Sequence, residues 1–224
     1  MPILKSERTY WDVLRKQYEQ LEALYQEIKS QGKLSLDGHE ISKAILFRMK
    51  TYYEVHNRIK SLLNKRYVPP ASDFFVEAVA FYLKALLHTH NTGLDLHSER
   101  QIGGGRRALR PDISIWRGAE VVAAIECKTQ LGWNRAKWED DFRSRERKLR
   151  EKFSKAQAFL LVMTERNWSG FRGSDEKVGK QFFALLRSEF WPTDITNENI
   201  EEALRTPIED LFRKILAGAT LQPS

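Results

Sequence analysis

The chain has 224 residues, long enough to bury a core without disulfide or metal staples, and with 42% apolar and 30% charged residues its balance is globular and excludes a disordered chain. Lys and Arg outnumber Asp and Glu by 37 to 30, a net charge of +7 that suits a polyanionic partner, nucleic acid first. The single cysteine, Cys127, excludes an internal disulfide and a cysteine-rich zinc centre. The surplus is uneven: residues 1–70 carry 13 basic and 8 acidic side chains, residues 71–130 carry 7 and 7, and residues 131–224 carry 17 and 15. Residues 1–12 hold no apolar stretch of signal-peptide length, and apolar runs such as Val121–Ile125 and Ala158–Met163 fall far short of a membrane span. We therefore expect a cytoplasmic protein with no membrane partner.

The first third reads as helix. Tyr10, Trp11, Leu14, Tyr18, Leu21, Leu24, Tyr25 and Ile28 recur at spacings of three and four, and Gly32 follows as a stop. A second helix, capped by Ser35 or Asp37, carries Ile41, Ile45, Leu46, Met49, Tyr52, Tyr53, Ile59 and Leu62. It ends before Pro69-Pro70, where the chain divides into an N-terminal helical hairpin over 1–68 and a main domain over 69–224. A third helix is capped by Ser72 or Asp73 and stops at Asn91-Thr92-Gly93.

From there the period changes from helical to two. Leu94–His97 and Asp112–Trp116 alternate as strands do, Gly103-Gly104-Gly105 is a loop, and Arg117-Gly118-Ala119 is a tight turn. Val121–Ile125 is apolar at every position, the pattern of a strand covered on both faces. Asn134 to about Phe153 is a charged surface helix, Ala158–Met163 a buried strand, and residues 175–189 and 197–216 two amphipathic helices, the second interrupted near Pro207. The predicted fold class is α/β: a mixed β-sheet whose core, over 72–164, runs helix, strand, strand, strand, helix, strand, with C-terminal helices over 175–216.

Side chains alternate along a strand, so Glu126 and Lys128 share a face about 6–7 Å apart. Asp112 and Ser114 share a face of the preceding strand, and the short turn makes the two strands a hairpin. Should Asp112 lie beside Glu126, two carboxylates and one ammonium meet at its end. Like charges repel, and a divalent cation relieves the repulsion. Hard oxygen donors with room for water suit Mg²⁺, and the Cys127 backbone carbonyl supplies a third oxygen. Lys128 then offsets charge and holds the attacking water or the phosphate.

Pro111-Asp112, thirteen intervening residues and Glu126-Cys127-Lys128 resemble the motif of the PD-(D/E)XK nuclease superfamily, whose restriction-endonuclease-like core has the same order of elements. The resemblance covers about ninety residues. It implies Mg²⁺-dependent phosphodiester hydrolysis, with Mn²⁺ as a substitute, in which Asp112 and Glu126 bind metal and Lys128 is the catalytic lysine. Glu77 matches the position of an extra metal-binding acid in many members, and Gln130 an accessory position in some. The basic loop residues Arg100, Arg106, Arg107 and Arg110 are candidate contacts to the DNA backbone. The expected activity is a DNA endonuclease of restriction or defence type, acting as a homodimer where both strands are cut. A structure-specific repair nuclease such as a junction resolvase, and a non-catalytic nucleic-acid-binding module with the same fold, stand as alternatives.

Overall fold

A computed structural model describes residues 5–32, 34–104, 108–131, 138–166 and 176–220. The helices are α1 (Lys5–Ser30), α2 (Glu40–Leu62), α3 (Ser72–Thr89), α4 (Trp138–Lys152), α5 (Ile200–Ala203) and α6 (Ile208–Thr220). The strands are β1 (Asp95–Ser98), β2 (Ile113–Arg117), β3 (Glu120–Lys128), β4 (Gln157–Thr164) and β5 (Phe182–Leu186). They form one mixed sheet in the order β1-β2-β3-β4-β5, with β1, β2 and β3 antiparallel and β3, β4 and β5 parallel. Residues 72–164 run α3-β1-β2-β3-α4-β4, the order read from periodicity. Among the described residues no helix is long and apolar enough to cross a membrane.

Two apolar layers flank the sheet. One face carries Ile113, Ile115, Ala123, Ile125 and Cys127 against α2, α3 and α6. The other carries Ala124, Ala158, Leu160 and Val162 against Phe142 and Leu149 of α4, together with Ile102. Burial on both faces explains why β3 and β4 are apolar at nearly every position.

The helices before Pro69-Pro70 are joined to this core. Ile45, Leu46 and Met49 of α2 share one buried cluster with Phe75, Val79 and Leu83 of α3 and Leu211 and Phe212 of α6. Both α1 and α2 pack on α3. The α1 seam is covered only in its second half, where Leu24, Tyr25 and Ile28 meet the core. Tyr10, Trp11, Leu14 and Tyr18 lie exposed, although they continue the same stripe.

The α2 cap departs from expectation. The helix begins after His39, which makes no side-chain cap, and neither Ser35 nor Asp37 serves. Instead Glu209, in the first turn of α6, accepts the Ile41 and Ser42 N–H groups at 2.8 and 3.0 Å and the Ser42 hydroxyl. Ser42 Oγ in turn accepts the Ile208 N–H at 2.9 Å, so each helix start satisfies the other.

The predicted helix over 175–189 is corrected. Phe182–Leu186 is a strand, buried at all five positions and parallel to β4. A short all-apolar run carries no period that separates helix from strand, and Gly179, at φ +72°, breaks the backbone before it. The predicted helix over 197–216 divides into α5 and α6 on either side of Pro207, and α4 begins at Trp138, its preceding residues lying outside those described. The cap expected for α3 is also corrected: the helix begins after Ala71 with no side-chain cap, so neither Ser72 nor Asp73 serves.

Candidate active site

Three features of the β2–β3 hairpin build the site. Gly118, at φ +58°, makes the tight connection between the strands. Ile115 pairs with Ala123 while Trp116 pairs with Val121, so Val122 is an unpaired bulge. The bulge turns Val122 to the α3 side, away from the Ala124 face on which simple alternation places it. Beyond the bulge the register is regular, with Ser114 opposite Ala124 and Ile113 opposite Ile125.

The ladder between β2 and β3 ends there. Glu126, Cys127 and Lys128 continue along β4, opposite Leu160, Leu161 and Val162, and among the described residues their other edge has no strand partner. Asp112 takes that place. Its Oδ2 accepts the Cys127 N–H at 2.7 Å and a Lys128 Nζ proton at 3.2 Å. Its own carbonyl accepts the Glu99 N–H at 3.2 Å and the Ser98 hydroxyl at 3.0 Å, which fixes the backbone from the β1 side. A strand residue directs its N–H and C=O to the same neighbour, so the Cys127 carbonyl also faces the Asp112 edge.

Glu126 is the most enclosed charge of the group, its side chain 13% exposed. Oε2 lies 3.7 Å from Lys128 Nζ, and Oε1 pairs with Arg145 of α4. Burial holds the Glu126 carboxyl above its ordinary range; the nearby Arg145 draws it down, and Asp112 pushes it further up. Two cations beside it thus leave its ionisation penalised. Lys128 is half-exposed and stands between the two carboxylates. The Cys127 thiol points to the opposite, apolar layer, where burial pushes its pKa well up, so it is core rather than nucleophile.

Asp112, Glu126, the Cys127 carbonyl edge and Lys128 are therefore gathered at one end of the hairpin. Glu77, exposed on α3, lines the same groove of about 670 Å³ as Asp112, Lys128, Ser98, Glu99 and Lys84. It is not drawn into a cluster: among the described residues no three His, Cys, Asp or Glu side chains are grouped closely enough to hold a metal. Gln130 is exposed in the bend after β3. Arg100 is not turned into the groove; its guanidinium stacks 3.9 Å over the Trp116 ring and lies 2.8 Å from His97 Nε2. Arg110 is exposed and donates to Gln101 at 3.1 Å. Arg106 and Arg107 lie outside the described residues. The loop that carries them is closed at its base by reciprocal hydrogen bonds between Ile102 and Leu109.

Sequence reading missed Arg145. It counted among the charged residues of a solvated helix, and several of those do form i,i+4 pairs, as Arg150 with Glu146 at 2.9 Å. Yet Arg145 falls three residues after Phe142 and four before Leu149, the two residues α4 buries. That spacing puts it on the sheet-facing stripe, a signal that the order of residues alone carries.

The donor set suits a small hard cation. Two carboxylates and a carbonyl converge on one edge, and the carboxylates' mutual repulsion and the burial of Glu126 are costs that a divalent ion offsets. No protein-family model, curated protein or solved structure matches this chain.

Proposed function

We propose that this protein is a Mg²⁺-dependent nuclease of the PD-(D/E)XK, restriction-endonuclease-like type, hydrolysing phosphodiester bonds in DNA. The observation that carries the reading is the convergence of Asp112, Glu126 and Lys128 on the unpaired edge of β3, at the side of an open groove. Asp112, Glu126 and the Cys127 carbonyl would hold the ion, with Mn²⁺ as a substitute. Bound there, it supplies Lewis acidity and a lowered pKa for its water.

The chain's own residues do the rest. Asp112 is held by the Cys127 N–H and by the β1 contacts to its carbonyl, so its carboxylate is oriented before substrate arrives. Lys128 Nζ, anchored by Asp112, donates to the oxygen of the attacking water and offsets charge that develops on the phosphate. Water oxygen bonds to phosphorus as one of its protons passes to solvent, the opposite P–O bond breaks, and the departing oxygen takes up a proton from solvent.

The test is cleavage of plasmid, single-stranded and mixed-pool DNA with Mg²⁺ and with EDTA, followed by end sequencing. Metal-dependent cuts are expected. A fixed sequence at the ends indicates restriction, with a homodimer where both strands are cut, and a fixed branch position indicates junction resolution. Undiminished cutting by Asp112→Ala and Lys128→Ala proteins overturns the assignment. The Arg145–Glu126 pair favours one second reading, a non-catalytic nucleic-acid-binding module, because it offsets the glutamate charge without a cation. That reading predicts salt-dependent DNA binding and no cleavage.

A further inference from the structure

We propose that Arg145 is a positioning residue for the cation site: it holds Glu126 Oε1 from α4, so that Oε2 is presented to the edge shared with Asp112 and Lys128. The inference rests on the nuclease reading of that site and adds to it a residue outside the motif.

The two oxygens of Glu126 have separate partners. Arg145 Nη1 engages Oε1, and Oε2 faces Lys128 Nζ at 3.7 Å, beyond hydrogen-bond range. The oxygen that faces Lys128 is thus the one without a close donor among the described residues. Arg145 is itself steered by packing. Phe142 and Leu149, buried at 4% and 1% exposure, dock α4 on the sheet and aim the intervening stripe at β3. The helix start adds Asp141 to a pocket of about 140 Å³ that also holds Glu126, Lys128 and Arg145. A carboxylate at the end of a strand has free torsions about its side-chain bonds, and an ion pair from a second, packed element removes that freedom. This is the part that outer partners play around metal ligands generally, where their loss costs about 10–100-fold in metal affinity.

Arg145 is half-exposed at 52%, so its replacement leaves the α4 core contacts in place. The experiment is calorimetric titration of Mn²⁺ into the full-length wild type, Arg145→Gln and Arg145→Lys, with Tm measured for each. We expect Arg145→Gln to weaken Mn²⁺ binding about 10–100-fold, with Arg145→Lys recovering part of the loss and Tm moving little. The same variant should need more Mg²⁺ for half-maximal cleavage and regain its rate at saturation. Equal affinity in wild type and Arg145→Gln overturns the positioning role, and tighter binding by Arg145→Gln overturns it in favour of Arg145 as a competitor for the ion. No Mn²⁺ binding by wild type fails the nuclease reading itself, a separate outcome.

Discussion

Two glutamates lie deep in this protein and live in opposite circumstances. Glu209 is 1% exposed and accepts two helix-start N–H groups and a hydroxyl, with no other carboxylate among its partners in the described residues. Glu126 faces a second carboxylate and keeps a raised pKa despite Arg145 and Lys128 beside it. One site is satisfied by its own fold and the other is not. Buried charge that completes a hydrogen-bond set serves stability, whereas buried charge left in conflict marks a place built for something else to bind.

The largest expected effect tests the conflicted site. Lys128→Ala should lower Mg²⁺-dependent DNA cleavage by about 10²–10⁴-fold, the range for loss of a positioned catalytic group, with little change in Tm. A single-turnover assay at saturating Mg²⁺ reads it. The satisfied site should answer in stability. Glu209→Ala strands the Ile41 and Ser42 N–H groups and the Ser42 hydroxyl, and should cost about 3 kcal/mol in urea unfolding. That corresponds to a Tm drop of roughly 6–12 °C for a chain of this size.

Glu126→Gln should reverse that sign. The Glu126 carboxyl titrates above its unfolded value. Between those two values the native state therefore binds more protons than the unfolded state, and stability falls as pH rises through that window and stays level above it. The neutral amide removes the penalty, so the metal-free variant should melt slightly higher at neutral pH and lose that slope, while cleavage falls with the weakened metal site. A lower Tm for Glu126→Gln would break the contrast between the two glutamates. The smallest effect is a control on α4: Glu151→Ala removes an exposed pair, 3.9 Å from Arg147, and should change stability by less than about 0.5 kcal/mol.

How far the residues themselves foretold the structure varies with the range of the forces involved. Alternation and apolar runs located β2, β3 and β4 to within a few residues because both faces of those strands are buried and the pattern records it. The same logic failed at Phe182–Leu186, where a run with no polar face has no period to read. The local cap expected for α2 also failed, because the acceptor comes from Glu209, more than 160 residues away. In the site, the types and spacing of Asp112, Glu126 and Lys128 were legible. The bulge at Val122 was not, since it needs the pairing partner to define it.

The sequence by itself determined the α/β class, the order of the central elements, and the presence of two acids and a lysine near one hairpin end. These follow from hydrophobic periodicity and turn chemistry, which act between neighbours in the chain. Tertiary structure alone decided that the ladder stops before Glu126, that Asp112 fills the vacant edge, and that Arg145 reaches Glu126 from another layer. Those contacts depend on register and helix docking, and both are settled only when distant segments compete to bury the same surface.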